Sequence, residues 1–387
     1  METWKKIRLG DACKTNMYSY SPKEKWNFVN YLDTGNITDN KIDSIQYIDV
    51  VNEKLPSRAR RKVTKDSIIY STVRPNQHHF GIIKSQPENF LVSTGFAVID
   101  TDSQVLDADF LYYLLTQSTI VESLNAIAEQ STSAYPSIKP SDIENLEIEI
   151  PDIATQKKIA DVLFSLDKKM AQNMEINKNL EQQAQAIYQQ MFIDNPDPDW
   201  IEGSLSDIAN ITMGQSPSGS SYNEDGIGTI FFQGRAEFGF RFPTIRLYTT
   251  EPKRMAYAND ILMSVRAPVG DLNVSHNDCC IGRGLAAIHS KTNHQSFVLY
   301  TMFSLKKQFN VFNGEGTVFG SINRNSLNDM PILIPDDEQI EKFELIVAPM
   351  DATIRNNYDE ICCLQAVRDS LLPRLMSGEL DVSDIDL

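Results

Sequence analysis

SIKPSDIENLEIEIPD (137–152) and SINRNSLNDMPILIPD (321–336) are two versions of one plan, offset by 184 residues. Each runs through a polar turn into a short alternating strand, stops on Pro-Asp, and hands the chain to a long helical pattern. Matches continue upstream. Trp4, Leu9 and Asp11 answer to Trp200, Leu205 and Asp207, and DSIIYSTVRP (66–75) answers to DILMSVRAP (260–268). GFAVI (95–99) pairs with GLAAI (284–288), and FLYYL (110–114) with FVLYT (297–301). An internal repeat of this length sets the fold before any single element is assigned. Within each copy, β-branched and aromatic runs punctuated by Gly or Pro predict short strands, with one covering helix near 108–118 and another near 296–307.

The segments after each Pro-Asp keep apolar residues at alternating spacings of four and three. The first seam runs through Ile159, Leu163, Leu166, Met170, Asn173, Asn177, Leu180, Ala184, Ile187 and Met191. The second runs through Phe343, Val347, Met350, Ile354, Asn357, Ile361, Leu364, Arg368 and Leu371. Strict 4-3 spacing marks a coiled-coil seam rather than an ordinary amphipathic helix. Asp152 opens the first helix, and Asp336, Asp337 and Glu338 open the second, each complementing the positive helix end. Over 154–191 the first helix would be about 57 Å long. Pro373 should bend or end the second. With one seam each, the helices are expected to pack on each other, antiparallel. Asn173, Asn177 and Asn357 then become register-setting positions, or else solvent-facing breaks in the seam. DNPDPDW (194–200) reads as a linker.

The 41% hydrophobic and 23% charged content is that of a folded globular chain. The start, METWKKIRLGDACK, has no apolar signal core, so secretion is not expected. Five cysteines (Cys13, Cys279, Cys280, Cys362, Cys363) include no CxxC, which predicts reduced thiols in a cytoplasm rather than zinc or disulfides. A methyltransferase catalytic tetrad is missing, since NPDPDW lacks adjacent prolines and the aromatic. GQSPSGSS (214–221) has phosphate-loop spacing but Ser220 where the lysine belongs. His78, His79, His276, His289 and His294 lack metal-ligand spacing. No self-contained active site is indicated, and no metal or catalytic residue is assigned.

The net charge of −16 argues against nucleic acid only in bulk, because residues 337–387 hold −8 of it. KLPSRARRKVTK (54–65) has six basic and no acidic residues, so Arg58, Arg60 and Arg61 are candidate phosphate contacts, the alternative being a solvated loop. Arg74, Asn76 and Gln77 leave a strand with side chains able to read guanine and adenine edges. In the second copy, Gln215, Ser216, Ser218, Ser220 and Tyr222 of GQSPSGSSYNEDG (214–226) suit close approach to a backbone. Gln233, Arg235 and Arg241 follow in FFQGRAEFGFRFP (231–243). Ser133 and Tyr135 in EQSTSAYPS (129–137), and Thr317 in GEGTVFGS (314–321), occupy matching loops.

These features resemble the specificity subunit of type I restriction–modification enzymes. The paired halves, GQSPSGSSYNEDG, FFQGRAEFGFRFP, SVRAPVGDLNVS with CCIGRGLAAI, and the IPD-headed helices ending in LLPRLMSGEL carry the likeness across essentially the whole chain. The resemblance implies an α+β protein whose two target-recognition domains, related by the internal repeat, are separated by two long antiparallel coiled-coil helices. The expected layout is a first recognition domain over 1–150 and a central spacer helix over 151–193. A linker (194–199), a second recognition domain (200–335), a distal spacer helix (336–378) and an acidic tail (379–387) complete it. It implies a non-catalytic reader of double-stranded DNA in which each domain reads one half of a bipartite target and the helices set the gap. Arg266 of SVRAPVGDLNVS joins the candidate contacts by the same analogy. Methyltransferase and motor-nuclease subunits would dock on it, carrying S-adenosylmethionine and ATP, with no cofactor on this chain. A sequence reader of a related type II system and a coiled-coil scaffold without base-specific binding are the competing readings.

Overall fold

The computed structural model describes residues 4–131, 135–314 and 320–382. The chain divides into two compact units, Met1–Ala171 with Glu360–Leu387, and Gln172–Asp359.

The first unit opens with Lys5–Arg8 paired antiparallel to Glu147–Ile150, Lys5 lying opposite Ile150. An antiparallel sheet follows in the order Cys13–Thr15, Phe96–Thr101, Ile68–Ser71, Phe80–Ile82. A second sheet has the order Gln46–Asp49, Phe28–Leu32, Phe90–Ser93, Ala59–Arg61, with its two central strands parallel. Residues 96–99 and 90–93 are buried on both faces, which is why they read as continuous apolar runs rather than alternating ones. Helix Ala108–Leu115, capped by the Asp107 carboxylate on the Phe110 amide at 3.0 Å, covers the first sheet.

The second unit repeats this topology. Ile201–Ser204 pairs with Pro331–Ile334. The antiparallel sheet runs Ala209–Met213, Leu285–Ser290, Ile261–Ser264, Leu272–Val274. The other sheet again has parallel central strands, Thr229–Phe232 beside Cys279–Ile281. Registers coincide as well: Phe96 faces Ser71 in the first unit, and Leu285 faces Ser264 in the second.

The helical patterns become helices at Ile153–Tyr188, continued by one wide turn at Gln189–Ile193, and at Asp337–Met376. Asp152 accepts from the Ala154 amide (2.8 Å), and Asp336 from the Gln339 amide (2.9 Å). No seam residue read from the sequence is exposed. The second helix neither ends nor breaks at Pro373, contrary to expectation. Proline forfeits one donor, but Leu371, Leu372, Leu375 and Met376 pack into the first unit's core, and the Ser377 amide still reaches the Pro373 carbonyl at 3.0 Å.

Within each unit the two helix segments are antiparallel. In the first, Arg368 meets Asp167 at 3.0 Å and Lys169 meets Glu360 at 3.4 Å, one number rising as the other falls. In the second, the Asn177 amide donates to the Ile354 carbonyl (3.3 Å), and Asn357 donates to Asn177 Oδ1 (2.8 Å). Asn173 and Asn177 are buried at 1% and 3% exposure, so they are seam residues and not solvent-facing breaks.

Truncating one partner of a buried hydrogen-bonded pair costs more than replacing both. Asn177→Ala should therefore lower stability by about 1–3 kcal/mol, and Asn177→Leu with Asn357→Leu should recover most of it. Denaturant titration of the two variants against the parent checks this. Equal losses in both would show that the pair is not coupled.

Candidate nucleic-acid interface

The clearest cluster of exposed cations in the second unit forms where four strand ends converge. Gly214 donates to the Leu285 carbonyl at 2.9 Å, Gln215 to Ile281 at 2.9 Å, Gly282 to Phe232 at 2.8 Å, and Val265 to Gly284 at 2.9 Å. These approaches leave no room for side chains. A Cβ on Gly214 would stand 2.1 Å from the Gly282 carbonyl oxygen, and one on Gly284 would stand 2.8 Å from that of Gln233. The result is a cleft of about 260 Å³ lined by Ser216, Gln233, Arg235, Arg266 and Arg283 among glycines and other small residues. Arg235 is anchored by Asp271, to which Lys306 also comes within 3.9 Å. Arg266 and Arg283 are exposed and have no carboxylate partner among the described residues.

Arg283 was not expected from the sequence, although its position after the strand CCIGRG, opposite the STG of the first copy, was the available signal. Gln215, Ser218 and Ser220 are exposed on the same loop, the two serine hydroxyls 2.8 Å apart. Tyr222 instead shapes that loop: its hydroxyl donates to the Pro217 carbonyl at 3.1 Å and its ring lies 4.8 Å from Phe231.

Arg241 requires a correction. It is 5% exposed and lies among Glu181 (3.0 Å), Asp351 (3.1 Å) and the Tyr300 hydroxyl (3.1 Å). An isolated guanidinium cannot be buried cheaply, and two carboxylates compensate it here. It is an internal ion-pair residue, not a surface contact.

In the first unit the basic run 54–65 is not a uniform patch. Lys54, Arg58 and Lys65 are exposed, whereas Arg60 and Arg61 are half-buried. Burial pulls the Arg61 pKa below its usual value, and its Nε has no partner. Lys62 is engaged with Glu24 and lies 5.0 Å over the Trp26 ring. Arg74 adopts the left-handed conformation (φ 49°), is exposed, and sets its guanidinium 5.0 Å over the ring of Tyr135. Asn76 and Gln77 follow it, both exposed, in a short 3-10 turn. Ser133 and Thr317 lie outside the described residues.

The two rims share one backbone frame. Thr72 donates to Gly95 as Val265 donates to Gly284. Ile138 donates to Thr72 as Ile322 donates to Val265, and Arg74 donates to Pro136 as Ala267 donates to Gly320, all at 2.8–3.0 Å. Superposing the registers puts Arg266 at the position of Val73, Arg283 at Thr94 and Arg235 at Gly35. The frame is repeated; the side chains on its lip are not.

Among the described residues, no group of three or more His, Cys, Asp or Glu is placed to hold a metal, and no helix is long and apolar enough to cross a membrane. Burial pushes the Cys13 and Cys279 thiols up to about 12, so neither is a poised nucleophile.

A family model, the type I restriction modification DNA specificity domain, matches residues 1–182 and again 198–359. The chain is 28% identical to a putative type I restriction enzyme MjaX specificity subunit of Methanocaldococcus jannaschii, over 98% of this chain and 94% of that one. It is 24% identical to the HindI specificity subunit of Haemophilus influenzae, over 98% of this chain and 100% of the relative. The type I restriction–modification system S subunit from M. genitalium shares the fold, with a TM-score of 0.58 at 17% identity over 97% and 96% of the two chains. With both halves matched by the specificity-domain model, this chain belongs to the type I restriction–modification specificity subunit family.

Proposed function

We propose that each half reads one part of a bipartite DNA target and that the two halves read different sequences. The carrying observation is the shared rim frame with unlike side chains. Arg235, Arg266, Arg283 and Gln233 line it in the second unit, whereas Arg58, Arg74, Asn76 and Gln77 lie exposed in the first. Arginine pairs bidentately with guanine, and glutamine or asparagine with adenine, so different lips select different bases. The paired helices set the gap between half-sites. The chain itself is non-catalytic and cytoplasmic. It docks methyltransferase and motor-nuclease subunits, which bring S-adenosylmethionine and ATP, and it needs no cofactor of its own.

Long-read mapping of methylated bases in the source genome, with and without this gene, tests the reading. A bipartite motif with a fixed unspecified gap should vanish on deletion; an unchanged methylation map in cells that express the system would refute it.

Arg266→Ala and Arg283→Ala, assayed in the assembled methyltransferase, should relax the second half-site by about 1–3 kcal/mol per lost bidentate contact and leave the first half-site unchanged. Uniform weakening with a shallower salt dependence would make them phosphate contacts instead.

Adding one heptad to each helix should lengthen the recognised gap. A complex that still methylates with the original gap would remove the helices as the ruler.

A further inference from the structure

Both halves carry the same tyrosine–aspartate pair, but an arginine from a different place completes each one. In the first unit the Tyr113 hydroxyl donates to Asp167 at 2.7 Å, and the cation on Asp167 is Arg368 of the distal helix, at 3.0 Å. In the second unit the Tyr300 hydroxyl donates to Asp351 at 2.9 Å, and the cation on Asp351 is Arg241, at 3.1 Å. Asp167 and Asp351 differ by the repeat offset of 184, and the same offset carries Arg368 onto Ala184, which is fully buried. The second copy has alanine at that helix position and draws its cation from the recognition domain.

That substitution changes what the ion pair connects. Arg368 joins helix to helix. Arg241 joins a recognition segment to the central helix through Glu181 and to the distal helix through Asp351. Phe242, next in sequence, extends the attachment: its ring lies 4.8 Å from Tyr358, and Arg355 lies over it at 5.6 Å. The stretch that ends in this anchor begins at Gln233 and Arg235 in the cleft. We propose that Arg241 is a positioning residue that holds the second recognition surface in one orientation on its helix segments, and thereby enforces gap discrimination. This rests on the bipartite reading above. Each added base pair moves a half-site by about 3.4 Å and turns it by about 35°. A domain held by the Arg241 pairs in addition to its shared apolar core resists that movement more than one that keeps only the core and the remaining polar contacts.

The test uses the assembled methyltransferase and three duplexes with identical half-sites, carrying the native gap and gaps one base pair shorter and longer. Arg241→Met combined with Ala184→Arg returns the cation to Asp351 from the helix, as in the first unit, and removes the Arg241 tie while leaving the domain's other contacts to the helices in place. It should retain native-gap methylation and both half-site sequences, while the ratio of native-gap to off-gap methylation falls at least tenfold. Arg241→Lys keeps the charge but not the two-carboxylate fork, and should give a smaller fall in the same direction. If the double variant does not fold, the lysine variant decides alone. Wild-type gap strictness in either folded variant would reduce Arg241 to charge balance and overturn the proposal. A variant that loses half-site sequence preference along with the gap would overturn it too. A wild-type complex with no fixed-gap preference would instead refute the bipartite reading on which the proposal stands.

Discussion

Neither globular half closes its core without a piece of helix. In the first unit Ile159, Leu163, Leu375 and Met376 share one apolar cluster with Phe110, Leu111 and Leu115. In the second, Ala184, Tyr188, Phe192, Phe343 and Val347 share one with Phe297, Val298 and Tyr300. Each fully buried large side chain contributes about 1.5–3 kcal/mol, so the same residues that hold the helices together also hold a recognition domain onto them. This double use is the constraint behind the rest of the architecture. It explains why both units carry a covering helix at the same place, and why that helix presents aromatics toward the seam. It also accounts for the second long helix running on through Pro373, since Leu371, Leu372, Leu375 and Met376 are packed into the first unit's core.

Duplication then allows the lip to diverge while the frame stays fixed. The frame consists of backbone hydrogen bonds between strand ends and small-residue approaches such as Gly214 against Gly282. Neither depends on which side chains point outward, so Val73, Thr94 and Gly35 in one copy can be arginines in the other without disturbing a strand. Divergence in the buried layer is more restricted. The Tyr–Asp pair is present in both copies, and in each the half-buried aspartate has both a hydroxyl donor and a cation. Only the origin of the cation has moved.

The sequence made the frame legible and the lip only partly so. Heptad spacing and the 184-residue offset are periodic signals carried by many residues, and every seam position they named is removed from full exposure. Arg241 was misread because FFQGRAEFGFRFP shows a cation among aromatics, while its carboxylate partners stand sixty residues before and more than a hundred after it. Nothing local distinguishes such an arginine from Arg235 or Arg266. The contact of the Tyr222 hydroxyl with its own loop's Pro217 carbonyl likewise has no local signature, since a hydroxyl in a polar loop can turn either way. Arg283 was missed because one arginine between two glycines carries no pattern until the neighbouring strand ends are in place.

The acidic balance fits this picture once partners are counted. Arg241 is matched to Glu181 and Asp351, Arg368 to Asp167, Arg246 to Glu237 and Lys62 to Glu24, so these cations are spent on internal carboxylates. Arg266 and Arg283 are not, among the described residues. In about 0.15 M salt, charges separated by more than about 8 Å are largely screened at the surface. A phosphate or base edge at the cleft would therefore respond to those two guanidiniums and to the Arg235–Asp271 pair beside them, rather than to the −16 of the whole chain. Net charge governs how the chain behaves at long range and low salt. The few unpaired cations on the repeated frame govern what it can read at contact.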